Sequence, residues 1–176
     1  MGKIVLKFGL IAGALMVVLM ITTALFLKSM GFQYAEYLGY IGMVVGFLPV
    51  YFSMRDLRKN SGYGELKFVN ALGIGSLVML IACTFYTIGW IIVFKTIMPD
   101  FWDRFAAYQK GIMIANHVSQ AKIDEFINGI ASFKDLYKNP FALFFMTFME
   151  PLPVGILFTF IAALIAKRKK KNDSIQ

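Results

Sequence analysis

The chain has 176 residues, of which 59% are hydrophobic and only 16% charged, against about half and a quarter in soluble domains. That much apolar surface excludes a water-soluble fold of this length, and the length leaves room for one domain. The net charge of +8 does not point to nucleic acid, because five of the eighteen basic residues form one run, Lys167–Lys171, directly after an apolar segment. Such a run is drawn to anionic lipid headgroups at about 1 kcal/mol per charge.

Charged residues divide the chain into apolar stretches. Phe8–Leu27 is uncharged between Lys7 and Lys28, and predicts a first helix over about 5–28. It is too long for a signal h-region and no cleavage site follows, so it reads as a retained helix. Leu6 stands where a myristoylation signal has Ser or Thr. Tyr37–Met54 predicts a second helix over about 36–54. The loop Arg55–Lys67 holds Asn60, Gly62, Tyr63 and Gly64, a tight turn. Phe68–Phe94 predicts a third helix over about 67–95. Phe141–Ala166 carries one charge, Glu150, and predicts a fourth over about 140–167, followed by a basic tail, 167–176.

Each stretch has about the 20 residues needed to cross a ~30 Å hydrocarbon core. Lipid cannot satisfy an open backbone, so the spans are helical. The third and fourth, at roughly 40 Å, exceed the core and must tilt or project.

Between the third and fourth spans, about 99–138, apolar residues recur at helical spacing. Phe101, Phe105, Tyr108 and Ile112 follow Pro99-Asp100. Ser119 precedes Ile123, Phe126, Ile127 and Ile130 as an N-cap would, and Ser132 and Asp135 are spaced like a capping box. This predicts a helical hairpin, lying on the membrane or over the bundle, with Trp102 and Tyr137 in an aromatic belt. The fold class is an all-α membrane protein, a four-transmembrane-helix bundle with an extracytoplasmic helical hairpin between helices 3 and 4.

Lys and Arg counts in short flanks set orientation. Lys3 and Lys7, four basic residues in Arg55–Lys67 and five in the tail lie on one side. The first outer loop has Lys28, and the third loop mixes six basic with five acidic residues. Both termini are therefore expected in the cytoplasm. A faint echo pairs Lys7-Phe8 and Gly13 with Lys67-Phe68 and Gly73, and Leu48-Pro49-Val50 with Leu152-Pro153-Val154. It fits a parallel duplication of a two-helix unit, or chance matching in an apolar alphabet.

Several stretches carry a family resemblance. They are Lys3-Ile4-Val5-Leu6-Lys7-Phe8-Gly9-Leu10, Met98-Pro99-Asp100-Phe101, Leu136-Tyr137-Lys138-Asn139-Pro140 and Glu150-Pro151-Leu152-Pro153-Val154-Gly155. Together they resemble the bacterial domain of unknown function 4199 family, nearly end to end. The resemblance implies a small inner-membrane protein of the Bacteroidetes lineage with no known reaction. An association with neighbouring polyprenyl-phosphate glycosyltransferases implies a cell-envelope role.

Glu150 is the residue that most needs a reason. It lies about 15 Å into the last span, where a carboxylate costs about 2.5–3.5 kcal/mol. Pro151 and Pro153 leave the carbonyls of Thr147 and Met149 without partners, and Pro49 does the same for Val45 in the second span. Thr84, Tyr86 and Thr87 lie at matching depth on the third. Two readings stand. One is a proton- or cation-binding site where broken helices meet. The other is a neutral acid hydrogen-bonded across helices, fixing a kink.

Gly9 and Gly13 form one GxxxG, and Gly42 and Gly46 another with Gly39 a turn earlier. These small faces let helices pack closely, within the chain or between two copies. The lone Cys83 excludes an intramolecular disulfide. His117 beside Asn116, with Asp124 and Glu125 further on, matches no metal motif. No cofactor or metal site is expected. No GxSxG, HExxH, P-loop or complete dinucleotide fingerprint occurs, so no enzyme activity is expected.

Two functions fit. The first is a non-enzymatic accessory or interaction module in cell-envelope biogenesis, touching the bilayer and a membrane protein partner or a second copy. The second is an oligomeric transporter or channel component centred on Glu150.

Overall fold

The computed structural model describes residues 1–60 and 66–167. The expected turn at Gly62–Gly64 and the basic tail beyond Lys167 lie outside them. Among the described residues, eight helices occur in chain order. They are α1 (Gly2–Met30), α2 (Ala35–Gly46), α3 (Leu48–Asn60), α4 (Phe68–Thr96), α5 (Phe101–Ala115), α6 (Gln120–Leu136), α7 (Pro140–Met149) and α8 (Leu152–Ala166). α2 with α3, and α7 with α8, make two kinked spans. With α1 and α4 they give four helices long and apolar enough to cross a bilayer. The protein is a multi-pass, all-helical membrane bundle, with the α5–α6 hairpin between its third and fourth spans.

The spans overrun the sequence estimates in one informative place. The second continues from Met54 to Asn60, through residues assigned above to a loop. Arg58 and Lys59 occupy its last turn, where the helix dipole favours positive charge. Charge ended the apolar stretch without ending the helix.

α1 and α4 form the axis of the bundle and run parallel. A Cβ on Gly9 would come within 2.8 Å of Ile81, one on Gly13 would strike Phe85, and one on Gly89 would come within 2.9 Å of Val17. Residues 9, 13 and 17 thus meet 81, 85 and 89, a constant offset along two straight helices. The glycine face of α1 is used within the chain. Gly46 meets Met16 in the same close fashion, whereas Gly39 has open space at its Cβ and Gly42 touches only Leu19, at 3.9 Å. Gly39 therefore makes no close approach within the chain.

Both kinks follow from proline. α3 and α8 each begin at the leucine of Leu-Pro-Val, so Pro49 and Pro153 lie in a first turn, where a missing N–H costs nothing. At the joints Phe47, Glu150 and Pro151 all keep right-handed helical dihedrals. The helices are interrupted at these joints, α2 from α3 and α7 from α8, while the chain bends without leaving the helical region. This half of the internal echo has a common structural role. The other half does not, since Phe68 opens α4 while Phe8 lies well inside α1, and Gly73 faces open space while Gly13 is packed.

Phe47 sets the bend of the second span against the fourth. It is 0% exposed, its ring lies 6.2 Å from that of Phe158, and a Cβ on Gly155 would come within 2.7 Å of it. Beyond this wedge α3 packs on α8 and α4 in a filled core with Val50, Met54, Val78 and Met79. On the other side α2 packs on α1 while α7 packs on α4, and α2 and α7 diverge.

The hairpin base docks on this divergent half. Phe32, in the α1–α2 turn, packs against Phe101, Phe105 and Tyr108. Arg104 donates to the carbonyl of Lys28 at 3.1 Å, and Lys28 to that of Ile97 at 3.3 Å. Lys134 pairs with Asp103 at 2.7 Å across the hairpin. Ser119 is the N-cap residue of α6 but its side chain makes no capping bond. The proposed Ser132–Asp135 box lies inside α6, where Ser132 bonds back to Asn128 instead. Its spacing matched a start signal, but the helix was already under way.

Candidate functional site

Glu150 sits at the α7–α8 bend, facing the space that α2 and α7 leave between them. Its side chain is surface-accessible, although protein surrounds it on several sides. It projects into a concavity, and Tyr86 of α4 is its polar neighbour across the helices.

Three cavities meet at this carboxyl. One, of about 140 Å³, runs along α1 and α2 past Met16, Met20, Leu27, Gly39, Gly42 and Met43. A second, of about 210 Å³, lies against α2 between Glu150 and Glu36, with Gly39, Tyr40 and Met43 in its wall. The third, of about 290 Å³, is walled by Tyr86, Trp90, Phe101, Trp102, Phe133, Tyr137 and Met146. The first and third share Tyr86, Trp90, Phe101 and Glu150 in their walls, so they adjoin.

The third cavity is aromatic because four elements converge there. Tyr86 and Trp90 are one turn apart on α4, which puts them on one face. Phe101 and Trp102 open α5, and Phe133 and Tyr137 close α6. Trp90 meets Phe101 edge-on at 5.0 Å, Trp102 meets Tyr137 edge-on at 5.1 Å, and Trp102 stacks on Phe133 at 6.1 Å. Trp102 and Tyr137 are thus half-buried walls of a box.

The polar groups divide into occupied and unoccupied ones. Thr84 and Thr87 donate to Leu80 and Cys83 of their own helix, each at 2.9 Å. Neither is in the lining of the three cavities. Tyr86 and Glu150 are close enough to interact electrostatically. The Tyr137 hydroxyl approaches Thr147 and Trp90, but neither contact has hydrogen-bond geometry, and Thr147 Oγ1 and the indole N–H groups of Trp90 and Trp102 are buried without partners. Burial holds the Tyr137 phenol above its ordinary pKa, with Glu150 adding to the effect, so it stays a neutral donor. Among the described residues the ion pairs are Lys134–Asp103 and Lys138–Asp135, and Glu150 belongs to neither. No cluster of metal-ligating side chains occurs among them.

A family model described as protein of unknown function DUF4199 matches residues 7–168. The chain belongs to the DUF4199 family. The match includes every span and the hairpin, and hence the whole DUF4199 cleft at Glu150. No curated protein and no solved structure matches the chain.

Sequence reasoning brought Glu150, Tyr86 and Thr147 to attention and missed the aromatic box. The one local signal for it was the Tyr86–Trp90 spacing on α4. Trp102, Phe133 and Tyr137 belong to the hairpin, whose docking no local pattern records. Glu36, the charge that precedes the second apolar stretch, lines the same cavity as Glu150.

Proposed function

We propose that this DUF4199 protein is a non-enzymatic binding module of the bacterial inner membrane. It takes a membrane-borne ligand into the cleft at Glu150 and presents it to a partner in cell-envelope biogenesis. The observation that carries the reading is the meeting of three cavities at one intramembrane carboxyl. The cleft opens in the half of the bundle that carries the hairpin, while the filled core around Val50, Met54 and Val78 occupies the other. A cleft stopped by a filled core suits binding better than conduction. Transport retains support from the accessible carboxyl, and would require several copies. A mass of one copy in nanodiscs would remove it.

Gly39→Leu tests the binding reading. Leucine enters open space at that position, so folding should hold or improve, glycine being about 1 kcal/mol worse than alanine in a helix. The side chain then fills the cleft. Native mass spectrometry of protein extracted from its own membranes should show a small-molecule adduct on the wild type and none on the variant. Bare wild-type protein after gentle extraction would sink the proposal.

Both termini are placed in the cytoplasm and the hairpin outside, on the Lys and Arg counts of the flanks. His117, at the hairpin turn, is the site to probe. In spheroplasts, His117→Cys should react with a membrane-impermeant maleimide, and Ser174→Cys only after lysis. The native Cys83 is buried and gives little background. The reverse labelling pattern would invert the topology.

A further inference from the structure

We propose that the ligand is a hydrophobic organic cation, an ammonium group joined to an apolar body that comes from the bilayer. The inference rests on the binding reading above and names the class of ligand. The cationic head would sit in the aromatic box, against Glu150, and the apolar body would lie along the α1–α2 cavity.

Charge and shape both point this way. A carboxyl in an apolar site is either protonated or held ionised by a positive partner, and in this chain the ion-paired lysines among the described residues are on the hairpin and pair with other acids. Aromatic faces attract cations by about 0.5–2 kcal/mol each, more as water is excluded, and cages of such rings select ammonium groups. The box sets Trp90, Trp102, Tyr86 and Tyr137 around one space with that carboxylate. The cation–ring contacts among the described residues involve Lys7, Arg55, Arg104 and Lys167, on rings outside the box. The adjoining cavity is walled largely by methionine, leucine, alanine and glycine, and borders the box at Tyr86 and Glu150. Volumes of about 140 and 290 Å³ together fall in the range of small-molecule sites, 300–1,000 Å³. The divergence of α2 from α7 leaves a side opening through which a bilayer-dissolved molecule can arrive.

The chain's two tryptophans, Trp90 and Trp102, both line the box. Tryptophan emission therefore reports on occupancy directly. Protein in dodecyl maltoside micelles would be titrated with octyltrimethylammonium, octyl glucoside and octyl sulfate, which share one tail. The expected result is a saturable emission change with octyltrimethylammonium, at least tenfold weaker in Glu150→Gln, and no saturable change with the other two. Equal saturation by octyl glucoside or octyl sulfate would overturn the cationic class while leaving the cleft as a binding site. No saturable change with any of the three would overturn both. Should Glu150→Gln fail to fold, Gly39→Leu carries the test, because it blocks the tail cavity without touching the carboxyl. Octyltrimethylammonium binding to that variant at wild-type affinity would overturn the placement of the apolar body.

Discussion

Gly13→Val is expected to lower the stability of the bundle by about 3 kcal/mol, the upper part of the usual range for overpacking. The added carbon would overlap Cγ of Phe85 and lie 2.7 Å from its Cβ. A Cβ is fixed to the backbone, so rotation of the ring cannot relieve the clash. α1 and α4 would have to move apart along the longest contact in the molecule. In lipid the attraction between spans is mainly close packing, so separation removes what holds them. Gly46→Ala provides the contrast. There the obstacle is the flexible side chain of Met16, and the loss should stay near 1 kcal/mol. Unfolding in mixed micelles measures both. A Gly13→Val protein as stable as the wild type would mean that the parallel contact is misplaced.

Phe47→Ala is the second large effect. Truncating a buried phenylalanine costs about 3–5 kcal/mol where the surroundings cannot collapse. Phe47 is fully buried between the bends of the second and fourth spans, over Gly155 and against Phe158. Its loss leaves a hole where two kinked helices would otherwise brace each other. A second consequence is specific to this site. The wedge holds α3 and α8 together while α2 and α7 diverge, so its removal should let α2 tilt and weaken octyltrimethylammonium binding along with stability. A loss under 1 kcal/mol with unchanged binding would refute the wedge.

The spans were legible because charge is expelled from lipid, and Lys7, Lys28, Lys67 and Lys95 stand close to their ends. The hairpin was legible because Phe101, Phe105 and Tyr108 repeat at helical spacing, and they do share a face against Phe32. Glu150 was legible as a lone charge in an apolar run. What stayed hidden depends on contacts between distant segments. Phe47 is one apolar residue among many, and only the meeting of two bends makes it a wedge. Trp90 and Tyr137 face each other only after the hairpin docks. Thr84 and Thr87 looked like site residues because depth can be counted from sequence, whereas the direction of a hydroxyl bond cannot. Gly75, Gly89 and Gly155 lie at close approaches as Gly13 does, but form no spaced pair that would announce them.

The constant offset between α1 and α4 also fixes an order of events during synthesis. Gly9 and Gly13 find Ile81 and Phe85 only after 72 further residues have been made. At about 5–20 residues per second that is an interval of roughly 4–14 s. Throughout it the glycine face of the first helix lacks the partner it has in the finished fold. A ribosome that stalls within the third span therefore leaves behind a chain with an unpartnered recognition face, the kind of surface by which quality-control proteases can tell an orphan from a finished molecule.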